Sequence, residues 1–447
     1  MMLSRLGLIL GFLLLLTGVV RAENAFPIRV SQDHRIFEDA QGRPFLLQGD
    51  TAWSLIAELK RGDVDTYLAD RSKRGFNAIL VNLIEHQFSS NSPRNAYGEQ
   101  PFVREAFGAL NPKYFDHAAW TIEQAQKLGL VVFLAPAYLG VNGGDQGWFA
   151  KAQAAGPDKM EVYGKAIAQR FSKFSNIVWV LGGDFDAPDR ALVSKLAEGI
   201  AAISPQALQT VHSGRDTNTN EIWKDQPWFA IDTVYTYNDV HKTILDRSKS
   251  GGMPIILLEG AYEYERETTA RMIRRNAYGA LLGGAAGQFF GNNPIWHFSG
   301  PGVFTSDQSW QEALASPGAQ SMSVMKAFFD KIPWSQLKPD RDSEISGVAQ
   351  SYAAALPDRS LIVIYGDADG FKVNRNVIGN GQIALWVDPA SGKFLPSEAP
   401  EFDPEFDNEF GIFPAPADRK NVNNSDWILL IGGPEQLQIC LLYTSDA

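Results

Sequence analysis

Between Pro44 and Asn293 short apolar runs alternate with longer helical patterns, and this alternation constrains the fold more than any single motif. The runs are Phe45–Gln48, Ala78–Leu83, Val131–Pro136, Ile177–Leu181, Ala207–Val211, Ile231–Tyr235, Ile255–Leu258 and Gly287–Phe290. They are nearly continuous in apolar character, as strands covered on both faces must be. Helical patterns fall between them at Val64–Arg74, Asn111–Leu128, Lys159–Lys173, Asp189–Ile203 and Glu267–Leu282. Lys127-Leu128-Gly129 and Lys73-Arg74-Gly75 place a cation in the last turn and then Gly, a C-terminal stop. Eight strand–helix units in roughly 250 residues is the size of a (β/α)8 TIM barrel, an α/β fold. The rival is a doubly wound sheet, which more usually carries a glycine-rich phosphate loop after its first strand.

The pattern changes further along. Residues 314–330 read as a closing helix, and residues 333–340 as a Pro-punctuated linker. Beyond it come short strands, Tyr352–Leu356, Leu361–Tyr365, Ile383–Val387 and Trp427–Ile431, split by turn sequences such as Pro389-Ala390-Ser391-Gly392. Residues 341–432 are therefore expected to form a small all-β sandwich. The barrel domain, with a short β segment at Ile28–Pro44, is assigned to residues 23–332.

Both ends carry signals of another kind. Arg5, the apolar run Leu6–Val20 and the small-x-small site Val20-Arg21-Ala22 read as a secretory signal over residues 1–22, so the protein is expected to be secreted or periplasmic. The run is also near the lower limit for a membrane-spanning helix, which leaves an anchor as the alternative. Cys440 is the one cysteine of the chain. It lies in a tail, residues 433–447, whose last eight residues resemble translated sequencing-adapter sequence, and the tail is read as non-native.

Composition excludes several functions. A formal charge of −11, without a compensating Lys/Arg run, disfavours a phosphate backbone as partner. The six histidines are scattered singly, without HExxH or Cys/His ligand spacing, so no metal or cofactor is expected. Neither a GxSxG elbow nor a P-loop occurs.

In a (β/α)8 barrel, chemistry is built at the carboxyl ends of the strands. The fourth run ends Trp179-Val180-Leu181-Gly182-Gly183-Asp184 and the seventh Ile256-Leu257-Leu258-Glu259-Gly260. Two carboxyls facing each other across one mouth are what glycoside hydrolysis needs: one protonates the departing oxygen, the other attacks the anomeric carbon or activates water. A separation of about 5–5.5 Å gives retention and about 6.5–9.5 Å inversion. Each also has a plainer reading, Asp184 as a helix cap and Glu259 as an ion-pair partner. The remaining rim suits a sugar: Asp50 and Trp53 after the first run, Asn82 and His86 after the second, Tyr138, His212, Tyr235, Tyr237 and Trp296. Aromatic faces stack on sugar rings while Asn, His and Asp hold hydroxyls, although any one aromatic can equally be core packing. Asp186 and Glu263 are the alternative carboxylates, and Glu265 lies close enough in sequence to be confused with them.

Taken together, Gly49-Asp50-Thr51-Ala52-Trp53, Arg74-Gly75-Phe76-Asn77, the Asp184 and Glu259 segments and Gly283-Gly284-Ala285-Ala286-Gly287 resemble the apiosidase-like glycoside hydrolases of family 140. The similarity runs from about residue 27 to 432, and the terminal β-domain resembles the collagen-binding domain usually attached to them. The resemblance implies a retaining enzyme with Asp184 as acid/base, Glu259 as nucleophile, and apiose released from pectic side chains. The chain departs from the usual Glu-Pro after the seventh strand, which here is Glu259-Gly260. A non-catalytic carbohydrate-binding protein and a transglycosylase using the same pair remain the alternatives. The expected partner is an oligo- or polysaccharide, without nucleic acid and without a membrane once the signal is cleaved.

Overall fold

The computed structural model describes residues 25–347, 351–367, 370–400, 409–416 and 425–441. The signal segment 1–22 and the last six residues of the tail lie outside them. Three two-residue strands, Arg29–Val30, Phe37–Glu38 and Pro44–Phe45, form a small antiparallel sheet before the barrel.

Eight parallel strands follow: β1 (Leu47–Thr51), β2 (Ala78–Asn82), β3 (Val131–Ala135), β4 (Ile177–Gly182), β5 (Gln209–His212), β6 (Asp232–Tyr235), β7 (Ile255–Glu259) and β8 (Gly287–Phe290). They pair in the order β5-β4-β3-β2-β1-β8-β7-β6. The ring closes between β5 and β6 without a regular ladder. A parallel bridge joins Gln209 to Phe229, Ala230 donates its N–H to the Gln209 carbonyl at 3.0 Å, and Thr210 Oγ1 donates to the Ile231 carbonyl at 2.7 Å. Thr233 Oγ1 likewise donates to the Val211 carbonyl.

A helix follows each strand: α1 (Arg61–Lys73), α2 (Pro112–Lys127), α3 (Pro157–Phe171), α4 (Ala191–Ile203), α5 (Thr219–Trp223), α6 (Val240–Ser248), α7 (Ala270–Leu282) and α8 (Pro317–Phe329). The chain is thus a (β/α)8 barrel. In α2, Asn111 caps the first turn, Pro112 fits the position whose N–H needs no partner, and Tyr114, Phe115, Ala118, Ile122 and Ala125 form the buried stripe. Among the described residues no helix is long and apolar enough to cross a membrane.

Strand β1 begins two residues later than its sequence suggests. Leu47 and Gly49 face the barrel interior, where a Cβ on Gly49 would run into the Phe289 ring at 2.1 Å. Gln48 and Asp50 face the helices. Gln48 Nε2 donates to the Met322 carbonyl at 2.6 Å, and Asp50 accepts from Tyr67 Oη at 2.6 Å beside Arg71 Nε at 3.3 Å. Asp232 on β6 does the same, held bidentately by Arg247 of α6 at 2.7 and 3.0 Å. Buried charges of this kind survive because each has its partner.

The C-terminal unit is a β-sandwich. Strands β9 (Lys338–Pro339), β10 (Ser351–Ala355), β11 (Leu361–Gly366), β13 (Ile383–Val387), β14 (Phe394–Pro396) and β16 (Trp427–Gly432) form one antiparallel sheet, ordered β9-β10-β11-β16-β13-β14. The hairpin-like pair β12 (Gly370–Asn374) and β15 (Phe410–Pro414) covers one face, closing Phe371, Val373 and Phe413 over Ile362, Trp386 and Leu429. The segment read as a linker is tied in, since Lys338 and Pro339 pair with Ala355 and Ala354. Helix α9 (Pro434–Leu441) follows, with Leu437 fully buried against the sheet.

The sheet's other face packs on α7 and α8 in one continuous apolar cluster. Tyr278 and Tyr365 stack with ring centres 4.7 Å apart and planes 7° from parallel. Arg274 of α7 grips Asp426 through Nε at 2.6 Å and Nη2 at 2.7 Å, and Tyr365 Oη donates to the same carboxylate at 2.8 Å. Arg274 and Asp426 are both essentially inaccessible. The β-domain is therefore fused to the helix that follows β7.

Candidate active site

At the carboxyl ends of the strands lies a cleft of roughly 590 Å³. Its walls include Asp184, Glu259, Trp53, Asn82, Tyr138, Tyr235, Tyr237 and Trp296. Eight of the eleven residues singled out from the sequence thus share this cleft. Asp50, His86 and His212 are not part of its wall.

Two backbone irregularities put the carboxylates there. Val178 and Val180 of β4 face the barrel interior, and the strand then turns through Gly182 (φ +76°), Gly183 (φ +129°) and Asp184 (φ +54°). A Cβ on Gly182 would lie 2.7 Å from the His212 carbonyl, and one on Gly183 2.5 Å from the Tyr138 ring. Only glycine allows this turn together with that close approach. On β7, Ile256 and Leu258 face inward while Leu257 faces the helices. A regular pleat would send Glu259 outward with Leu257. The pairing with β6 shifts register between Leu257 and Glu259, and the break swings the Glu259 carboxyl into the mouth.

His212 joins the two. Its Nδ1 accepts from the Asp184 N–H at 2.7 Å, and its Nε2 lies 2.6 Å from Glu259 Oε2. Burial opposes a charge on the ring, whereas the Glu259 carboxylate favours one strongly enough to raise the imidazole pKa. A proton on Nδ1, however, would point at the Asp184 N–H. The ring is accordingly the Nε2–H tautomer, donating to Glu259. It is 1% exposed, so it acts from behind the wall rather than on a ligand.

Asp184 is pushed up to about 7, first by burial and then by the charge of Glu259, with His212, Tyr138 and Arg215 working against the rise. Tyr138 Oη lies 3.4 Å from Asp184 Oδ2. A carboxyl that keeps its proton near neutrality can act as a general acid. Around the pair, Trp53 sits edge-on to His212 and donates Nε1–H to Tyr262 Oη at 3.0 Å. Asn82, in the wall, donates to Glu85 at 3.1 Å, while its Oδ1 is buried without a hydrogen-bond partner among the described residues.

Two residues expected on the rim are elsewhere. Asp50 lies inside β1 and faces α1, because the strand starts later than its apolar run. His86 packs edge-on against Trp148, with ring centres 4.8 Å apart. Of the alternative carboxylates, Glu263 points into the protein, where Ser316 Oγ, the Gly318 N–H and Asn292 Nδ2 bond to it at 2.6, 2.7 and 2.9 Å. Asp186 lines the cleft, accepting from Thr217 Oγ1 at 2.7 Å and the Gly214 N–H at 3.2 Å.

The sequence reading missed Phe88, Arg215, Tyr262, Arg266 and Phe304 and gave Glu265 no role, although all six are in the wall. Arg215 and Arg266 each lie 5.4 Å from the centre of the Tyr237 ring. No group of three or more His, Cys, Asp and Glu among the described residues is arranged to hold a metal ion.

The family profile described as "Apiosidase-like, catalytic domain" matches residues 31–336. No curated protein matches the chain in sequence. A solved structure described as a glycoside hydrolase overlays with a TM-score of 0.78 at 22% identity, covering 93% of this chain and 98% of its own. A family 5 glycoside hydrolase from Bacteroides vulgatus gives 0.76 at 21% identity, covering 94% and 98%. A family 5 mannosidase from Rhizomucor miehei gives 0.51 at 12% identity, covering 68% and 97%. At these identities the likeness is one of fold.

Proposed function

The chain belongs to the apiosidase-like glycoside hydrolases, and on that premise we propose that it cleaves a glycosidic bond of a pectic polysaccharide with retention, releasing apiose. The observation that carries the mechanism is the His212 ring, which touches the Asp184 backbone through one nitrogen and the Glu259 carboxylate through the other.

Glu259 is oriented by the Nε2–H of His212. It attacks the anomeric carbon while protonated Asp184 delivers its proton to the leaving oxygen. The glycosyl–Glu259 ester forms as the bond to the departing chain breaks. Asp184, now a carboxylate, takes a proton from water, and the hydroxide so generated releases the sugar and restores Glu259. The raised pKa of Asp184 supports the acid role. The family likeness alone supports apiose as the sugar.

Sugar release from a panel of pectic and other plant polysaccharides tests the proposal, with wild type run beside Glu259→Gln. Release of apiose by wild type alone, first appearing in the anomeric configuration of the substrate by proton NMR, is the expected result. Inversion would overturn the retaining mechanism, another sugar would overturn apiose, and no release would favour a binding protein. Transfer to an added acceptor sugar in place of water would identify a transglycosylase. We also propose export on the strength of residues 1–22; a mature N-terminus at Glu23 in the extracellular or periplasmic fraction is the check.

A further inference from the structure

The cleft holds further carboxyls with no part in the double displacement, Asp186, Asp216 and Glu265. Glu265 lies in the loop after β7, in the wall beside Trp296, Tyr262 and Arg266. One oxygen, Oε1, accepts from Trp296 Nε1 at 2.9 Å. No protein group among the described residues donates to the other.

The loop is built to hold this side chain inward. Tyr264, Arg266 and Glu267 take φ values of +70°, +47° and +62°, a region that side-chain-bearing residues adopt at a cost. Hydrogen bonds from the Glu265 N–H to the Tyr262 carbonyl and from the Thr268 N–H to the Glu265 carbonyl pin the turn, at 3.1 and 2.8 Å. Glu263, two residues earlier, anchors it from beneath through Ser316, Gly318 and Asn292.

Its place in the ring gives its role. Asp184 follows β4, whereas Glu265 and Trp296 follow β7 and β8, on the far side of the mouth. The departing chain must lie toward Asp184, so the sugar attacked by Glu259 extends toward Trp296 and Glu265. Resting on the reading of the site as a retaining glycosidase, we propose that Glu265 is a specificity-determining residue: its free oxygen hydrogen-bonds sugar hydroxyls, and in its ionised form it reserves that subsite for an uncharged sugar. Burial, and after it the charge of Glu259, push the Glu265 carboxyl up to about 7, so a sugar acid seated there meets an ionised Glu265 beside Glu259 above neutrality. The adjacent Arg266 lies over the Tyr237 and Phe304 rings, 5.4 and 5.5 Å from their centres, and is not bonded to Glu265.

The test uses the full-length enzyme and the sugar that it releases. That product occupies the subsite of the cleaved sugar alone, so its inhibition constant reads this wall directly. Glu265→Gln keeps an oxygen for Trp296 Nε1 and removes the charge. It should raise the product inhibition constant about tenfold and lower kcat/KM about 10- to 100-fold, the scale of a lost charged hydrogen bond. At pH 8, where Glu265 is ionised, sodium galacturonate should inhibit wild type about tenfold more weakly than the released sugar, and the gap should narrow in the variant. Trp296→Phe, which keeps an aromatic face and frees Glu265, should shift the product constant the same way. Product constants within about twofold of wild type in both variants, or galacturonate as potent as the product on wild type, would overturn the proposal. An active wild type with an unaffected Glu265→Gln discards Glu265 and leaves the hydrolase standing; an inactive wild type discards both.

Discussion

The proton on Asp184 should set the upper limit of the pH range, and Arg215 should move that limit. With Asp184 at about 7, kcat/KM should level off only below about pH 6, halve near pH 7 and fall to about a tenth of its plateau by pH 8. Arg215 lines the same cleft and its charge favours the Asp184 carboxylate, holding the pKa below the level that burial and Glu259 alone would give. Replacing Arg215 by Gln removes that attraction. The acid then keeps its proton to higher pH, so the alkaline limb moves up. Arg215 is half-exposed and lies 3.7 Å from Asp216, so solvent and that carboxylate screen it. The expected displacement is about 0.3–0.5 of a pH unit, larger at low ionic strength. The assay is kcat/KM against pH for both proteins at two salt concentrations. A limb that stays put or moves down would refute the electrostatic assignment, and no alkaline limb up to pH 9 would refute Asp184 as the acid.

Other substitutions separate chemistry from scaffold. Gly183→Ala should lower kcat by about 100-fold or more with only a modest fall in Tm, because a Cβ there meets Tyr138 and the Leu139 N–H and displaces Asp184. Asp50→Asn should do the reverse, weakening the hold on Arg71 and Tyr67 and costing about 2–4 kcal/mol of stability in denaturant melts, with KM unchanged. Arg274→Met leaves the Asp426 charge buried with Tyr365 as its remaining donor among the described residues, and should cost about 3–5 kcal/mol by the same measurement.

The barrel is legible in the sequence because strands sheathed on both faces need apolar residues at nearly every position, and β2, β3, β4 and β7 have them. The first strand is misplaced for the same reason. Gln48, Asp50 and Asp232 are polar residues on outward faces, Gln48 satisfied by the distant Met322 of α8 and the two aspartates by the helices that follow their own strands, and an apolar run does not announce those partners. Strands β12 and β15 escape notice because Gly370–Asn374 and Phe410–Pro414 alternate buried with more exposed residues, which in so short a run reads as loop. The nine-residue α6 is similarly brief.

In the site, Asp184 and Glu259 stand out as the polar residues that end apolar strands. A strict pleat, however, would have pointed Glu259 outward, and only the register break corrects it. His212 is visible as a strand-end residue, but its role depends on both ring nitrogens finding partners from other strands. Glu263 and Glu265 are equally prominent in sequence. Left-handed turns at Tyr264, Arg266 and Glu267 send one carboxyl into the protein and the other into the cleft, and side chains at those positions give no hint of such turns.

The grip of Arg274 on Asp426 and the stacking of Tyr278 on Tyr365 also bear on how the enzyme would meet an insoluble polysaccharide. Helix α7 begins shortly after the loop that carries Glu265, so the β-domain is bolted to the element beside the cleft. Whatever surface this domain grips is then held at a fixed angle to the mouth. A domain on a free tether would keep the enzyme near its substrate and let it sample many orientations. This one dictates a single approach, so the bonds within reach at any landing are decided by where the β-domain sets down.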